Sequence, residues 1–429
     1  MISIRRRQIA VGVLLLVALV LRFVFITLAK EHEYNFSGTL PFTSESEMLK
    51  QGLHTVDSQE YLFLAEGLKK GVFGWDGRPN SFRTPGYPLL LAVLDNNLFL
   101  LFIVQVSLST MTVFLVWAGA KRLFGEKAGF IAAGFLAFDL ANIFFVGVVM
   151  AETLFVFLVV LGSYLFIRRH FQWTGIVLGS AALVRPIGIF FFLPFGIALA
   201  TRKKWKRLAF FLVMFALLPG LWIGRNIYRF GRPGFSSIGG FNLYYANAAI
   251  LVQEQTGLSE DSVRVLLTRE VARENREDNP MVLSSILTRL ALRRIGADPL
   301  RYLWIHMRGL GPVVFGIKSD EIVGRITGHG GPSLYKSAQG RGLCPFVWYL
   351  AGFELALTLA ALVLAIASLV RRDGRRKRLL LLFVGCYFLI MASPLTDGRF
   401  RVPAMPFVYV VAASFFASRF RSSGQNGSG

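Results

Sequence analysis

Cysteine is nearly absent from this chain of 429 residues. Cys344 and Cys386 stand alone, so neither a disulfide framework nor a cysteine-based metal centre can be built, and both are read as idle thiols. Histidine is scarce as well, at five residues. His54 has no second ligand at metal spacing and reads as a loop histidine. No metal site is expected. A divalent cation would suit paired carboxylates, but ligand spacing gives it no support. Internal repeats are missing, as is a Gly-rich phosphate loop, which argues against an activated nucleotide as immediate substrate. Acidic residues number 25 against 47 Lys and Arg. In a soluble domain that excess would suggest nucleic acid. Here the basic residues sit in short loops between apolar runs, where membrane topology and anionic lipid account for them, so no nucleic-acid partner is expected.

What the chain has in abundance is apolar length. Hydrophobic residues make up 54%, aromatics 14%, and mean hydropathy is +0.54. These values place it among polytopic membrane proteins. The run 9–28, after Arg5, Arg6 and Arg7, is long enough to span a bilayer and stays bulky to its end, unlike a cleaved signal peptide. Further apolar segments follow at 97–120, 130–149, 153–167, 175–184, 187–200, 208–223, 345–370, 379–393 and 402–418. With the first Arg cluster cytoplasmic, every later basic cluster (121–127, 168–169, 202–207, 371–378, 419–421) falls on the same side. The expectation is an all-α bundle of about ten transmembrane helices, multi-pass in the inner (cell) membrane, with both termini cytoplasmic. Residues 1–225 form a transmembrane module whose first outer loop is 30–86. Residues 226–344 form a larger outer loop before the last three spans, 345–421 carry those spans, and 422–429 are a flexible tail. Segment 302–317 is apolar but broken by His306, Arg308 and Pro312, which marks an interfacial or re-entrant helix. Ser259 and the acids after it predict a surface helix over 259–277.

The ionisable residues on the outer side are the candidates for chemistry. Asp57 opens an amphipathic stretch, DSQEYLFLAEGLKK, where it could equally be a helix N-cap. Glu152 begins the fourth span, where a first-turn acid also suits the helix dipole. Arg83, Arg185, Arg225, Arg399 and Arg401 lie where the positive-inside rule gives no reason for an arginine. Guanidinium forks bind phosphate bidentately, so the set could hold a lipid phosphate; each alone could be reaching for headgroups.

Five blocks carry a resemblance: DSQEYLFLAEGLKKGVFGWDGRPNSFRTPGYP, QVSLSTMTVFLVWAGAKRLFGEKAGFIAAGFLAFDLANIFFVGVVMAETLF, GIVLGSAALVRP, PGLWIGRNIYRFGRPGFSSIGGFNLYYAN and DGRFRVPAMPF. In this order they resemble the dolichyl-phosphate-mannose protein mannosyltransferase family and its bacterial aminoarabinose-transferase-like relatives, over nearly all the chain except about 257–346. The resemblance implies a GT-C-like fold, with amphipathic helices in the first outer loop. It implies transfer of a sugar from a polyprenyl-phosphate donor, on the periplasmic or extracellular face, to a lipid, glycan or protein acceptor. Asp57 then matches the catalytic base and Glu152 its supporting acid. Arg83 and Tyr87 of RTPGYP, Arg185, Arg225 with Asn226, Asn242 with Tyr244, and Arg399 with Arg401 match substrate-binding positions. Some members have a second acid directly after the base, where this chain has Ser58. The alternative is a flippase or transporter of lipid-linked sugars that performs no catalysis.

Overall fold

The computed structural model describes residues 2–29, 56–75, 77–327, 344–392, 394 and 398–417. His54 and the tail after 417 lie outside them. The fold is all-α apart from one two-residue antiparallel ladder in the GWDGRPN turn, pairing Gly74 with Pro79 and Trp75 with Arg78. All ten apolar segments become helix. Among the described residues, four helices are long and apolar enough to cross a membrane: Arg5–Leu28, Leu98–Phe124, Trp205–Phe230 and Phe346–Leu369. The pair Glu126–Ala137 and Leu140–Gly147 passes the same test taken together, and is bent by 57° at Phe138–Asp139 as in a broken span or a re-entrant loop. The remaining segments are shorter, at Glu152–Ile167, Phe171–Val184, Pro186–Ala200 and Met405–Phe416, or open on a basic turn, as Arg375–Ala392 does. A helix of 14 to 16 residues reaches about 21–24 Å, less than the hydrocarbon thickness of about 30 Å. The count of spans by length is therefore below the ten expected from hydropathy.

Small residues set a close helix contact. A β-carbon on Gly175 would stand 2.6 Å from the Phe211 carbonyl oxygen, and one on Gly179 2.6 Å from that of Phe215. Glycines four apart on one face let helix Phe171–Val184 lie directly on helix Trp205–Phe230. The bend between Glu126–Ala137 and Leu140–Gly147 lies against Arg22 of the first helix, which is fully buried. Its guanidinium donates to Ser109 Oγ at 2.6 Å and to the carbonyls of Leu136 and Ala137 at 3.2 Å, adding donors to the last carbonyls of helix Glu126–Ala137.

The segments around residues 244–291 make a separate small core. Tyr244, Val263, Leu267 and Leu290 bring helices Glu260–Glu274 and Pro280–Ala297 together. Ser259 caps the first of these by accepting from the Ser262 amide, and the helix stops at Glu274, three residues short of the expected boundary. Segment 302–317 belongs to helix Pro299–Phe315, which leaves Leu300, Leu303, Trp304 and Met307 exposed along one side. At the other end of helix Leu98–Phe124 the basic loops gather. Arg7 pairs with Glu126 at 3.6 Å, Lys121 with Glu126 at 3.1 Å, and Lys377 reaches the Leu123 carbonyl.

Candidate active site

Helix Val56–Lys69 places Asp57 in its first turn and Glu60 one turn later on the same face. Arg83, just before helix Gly86–Val93, forks between them. Its Nη2 donates to Asp57, and its Nε donates to Glu60 at 2.5 Å. Asp57 therefore acts as an ion-pair centre: its second oxygen accepts from Arg399 Nη1 at 3.2 Å, across 342 residues of chain. Nearby, Glu152 opens helix Glu152–Ile167 and accepts from Arg185 Nη1 at 2.5 Å, while its other oxygen is buried with no hydrogen-bond partner. Phe400 stands between the two arginine groups, with Arg399 4.9 Å and Arg185 5.9 Å from its ring centre.

All of these side chains except Glu60 line one cavity of about 1040 Å³. Its lining holds Asp57, Arg83, Glu152, Arg185 and Arg399, apolar residues including Ile187, Phe190, Ile390 and Met391, and the polar residues Asn242, Asn247, Tyr302 and His306. Burial pushes the Asp57 carboxyl up, but the charges of Arg83 and Arg399 outweigh it and hold the group below the usual carboxylate range. Glu60 goes the other way: burial raises it, Arg83 only partly offsets that, and the charge of Asp57 adds to the rise. Among the described residues, no group of three or more His, Cys, Asp or Glu gathers as a metal site would require.

The cavity thus brings together six of the sequence-derived site residues: Asp57, Glu152, Arg83, Arg185, Asn242 and Arg399. Five others lie behind its wall, each for a local reason. Tyr87 is buried, its ring edge-on to Tyr61 and its hydroxyl donating to Gln105. Arg225 donates to the carbonyls of Asn80 and Phe73 and lies 4.8 Å from the Trp222 ring centre, fastening the outer hairpin to helix Trp205–Phe230. Asn226 is fully buried and donates to the Gly234 carbonyl, closing the turn after that helix. Tyr244 donates to Glu270 at 2.6 Å inside the outer core. Arg401 lies in the same 3₁₀ turn as Arg399, Gly398–Arg401. At three residues per turn, positions two apart point to different sides. Arg399 faces Asp57, whereas Arg401 runs into the bundle onto Glu354 and Thr358.

Several residues in or behind the wall escape sequence reasoning. Glu60 had a readable signal, an acid at i+3 on the helix already identified. It supplies the second acid at a different spacing from the adjacent one for which Ser58 stands. Tyr302, His306, Lys318 and Glu321 come from the region outside the family resemblance, and their signal was the polar interruption of an apolar helix. Lys318 and Glu321 pair with each other, and the Lys318 amide donates to Glu354 at 2.9 Å.

No protein-family model and no curated sequence matches the chain. Among solved structures it is similar to the archaeal oligosaccharyltransferase AglB from Archaeoglobus fulgidus in complex with an inhibitory peptide and a dolichol-phosphate. Identity is 14% and the TM-score 0.47, over 93% of this chain and 50% of that one. A second Archaeoglobus fulgidus oligosaccharyltransferase structure, with Zn and sulfate, aligns at 13% identity and TM-score 0.40, over 92% of this chain and 48% of that one. ArnT from Cupriavidus metallidurans in the apo state aligns at 10% identity and TM-score 0.39, over 95% and 77%. The chain spans about half the length of the two oligosaccharyltransferases.

Proposed function

We propose that the chain is an integral membrane glycosyltransferase, which transfers a sugar from a polyprenyl-phosphate donor to an acceptor hydroxyl on the outer face of the membrane. The observation that carries this reading is Asp57, a carboxylate held between Arg83 and Arg399 in a cavity that apolar residues also line. The ordered sequence blocks support the same reading, with the GT-C-like fold and the cell-membrane location they imply.

The residue types fit the reaction. The bond between the anomeric carbon and the phosphate oxygen breaks, and its electron pair stays on the phosphate. That leaving group needs cations rather than a proton, and Arg83, Arg185 and Arg399 are placed to supply them. The acceptor oxygen bonds to the anomeric carbon from the opposite face and gives up its proton to Asp57. A single base without a partner nucleophile favours inversion. Glu152 is locked onto Arg185, so its role is to set that guanidinium and offer its remaining oxygen to a substrate hydroxyl.

The flippase reading would put exchangeable charges at mid-membrane depth. Charges do occur inside the bundle, at Arg22 and Arg401 among others. Arg22 and Arg401 are tied to backbone carbonyls and neighbouring side chains, and neither lines the cavity.

The test is chemical. Purified protein given a polyprenyl-phosphate sugar and an envelope-glycolipid or peptide acceptor pool should release polyprenyl phosphate only when acceptor is present. Translocation of intact donor across vesicles without cleavage would instead establish the flippase.

A further inference from the structure

The cavity wall above the arginines bears on which sugar the enzyme takes, a question that presupposes the glycosyltransferase reading. That wall contains a π-helical turn, Leu243–Ala248, inserted between helices Ile238–Asn242 and Ala249–Thr256. Such turns are rare, weaken local packing and concentrate at functional sites. Widening the helix by one residue aligns positions five apart, and Asn247 Nδ2 donates to the Asn242 carbonyl at 2.9 Å. From the neighbouring helix Pro299–Phe315, the Tyr302 hydroxyl donates to Asn247 Oδ1, also at 2.9 Å. The two bonds orient the Asn247 amide, which lines the cavity. Asn242 lines the same wall. Uncharged groups that both donate and accept match sugar hydroxyls.

The charges in the cavity narrow the choice further. Its described lining has four cations, Arg83, Arg185, Arg399 and Lys318, against three carboxylates. Each carboxylate already faces a cation: Asp57 faces Arg83 and Arg399, Glu152 faces Arg185, and Glu321 faces Lys318. A sugar bearing an ammonium group would find, among the described lining residues, no carboxylate without a counter-charge. Burial lowers the His306 imidazole below its ordinary value, so it adds a neutral partner beside Tyr302. We propose that Asn247, oriented by Tyr302 and the π-turn, is a specificity-determining residue that selects an uncharged hexose or pentose over an amino sugar on the polyprenyl-phosphate donor.

The experiment measures equilibrium binding of four probes to the detergent-purified full chain: bare polyprenyl phosphate, its glucose and arabinose conjugates, and its glucosamine conjugate. Wild type should bind the better neutral conjugate about ten-fold or more tighter than glucosamine. Asn247→Asp should bring that ratio down by about ten-fold, because it adds the missing carboxylate. Tyr302→Phe should weaken the neutral conjugate several-fold. Bare polyprenyl phosphate should bind all three proteins equally, which controls for folding. Equal or tighter glucosamine binding by wild type overturns the proposal, as does an unchanged ratio in Asn247→Asp. If no probe binds wild type, the glycosyltransferase reading itself fails and this proposal falls with it.

Discussion

Replacing Asp57 with Asn is expected to slow sugar transfer by about 100- to 10,000-fold, the usual cost of removing a general base, without weakening polyprenyl phosphate binding. The second half of the expectation comes from the ion pairs. Asp57 holds Arg83 and Arg399, and an amide at that position releases both guanidinium groups toward a phosphate. A purely structural role would predict the reverse, with loss of donor binding through collapse of the arginine rim. Donor turnover and polyprenyl phosphate affinity, measured on the same preparation, separate the two. Near-normal turnover by Asp57→Asn removes the residue from the chemistry.

The same pairs predict a pH signature. Before the donor binds, Asp57 faces Arg83, Arg399 and Arg185 as well as Tyr61, and its carboxyl sits below the ordinary value of about 3.9. The base is then ionised across the neutral range, and the acid limb of kcat/KM lies below the usual carboxylate position. A bound phosphate draws on Arg83 and Arg399, which leaves Asp57 less stabilised as an anion and therefore more basic. The acid limb of kcat should accordingly stand at higher pH than that of kcat/KM. Coincident limbs would mean that the arginines stay with Asp57 through the reaction. For stability the sign is fixed by the depressed pKa: the Asp57 pairing contributes above the unfolded carboxyl value and is lost as pH falls through the folded one.

The second large effect concerns Glu354 and Arg401. Both side chains are nearly inaccessible, at 2% and 3% exposure, and Glu354→Ala leaves the Arg401 guanidinium buried without a counter-charge. A loss of about 3–5 kcal/mol of stability is expected, whereas removing both partners for apolar residues of similar volume should cost little or even stabilise. Thermal or denaturant unfolding in detergent checks both statements. The pair also joins two parts of the cavity wall. Glu354 accepts the Lys318 amide at 2.9 Å, Arg401 donates to the Val314 carbonyl at 2.8 Å, and the backbones of Gly316 and Gly398 approach so closely that a β-carbon on Gly398 would stand 2.7 Å from the Gly316 oxygen. The double variant Glu354→Met with Arg401→Leu should therefore recover stability yet bind polyprenyl phosphate more weakly, because the turn that carries Arg399 is no longer clamped. Full stability with full donor affinity would show that the clamp does not position Arg399.

Hydropathy and charge placement alone determined much of this protein. Apolar length marked ten segments that become helix, though not the buried helix Gly86–Val93, and the alternation of basic loops assigned Asp57, Arg83, Glu152, Arg185, Asn242 and Arg399 to one end. Those six meet in one cavity. Local sequence could do this because chain direction and the cost of burying charge act on each segment separately. Which face of each motif looks into the cavity was decided only by packing. Arg399 and Arg401 are two residues apart in one motif, and a 3₁₀ turn sends one to Asp57 and the other to Glu354. Arg225 and Asn226 look like substrate contacts beside their motif neighbours, yet the hairpin and the turn after Trp205–Phe230 claim both. Arg22 reads as an expense in the first span until the broken helix beside it supplies two carbonyls as acceptors. Asn247 gains its orientation from Tyr302, 55 residues away, through a π-turn that no periodicity announces. Periodicity reports where a side chain points about its own helix axis; what it meets there depends on which distant helix has packed against that face.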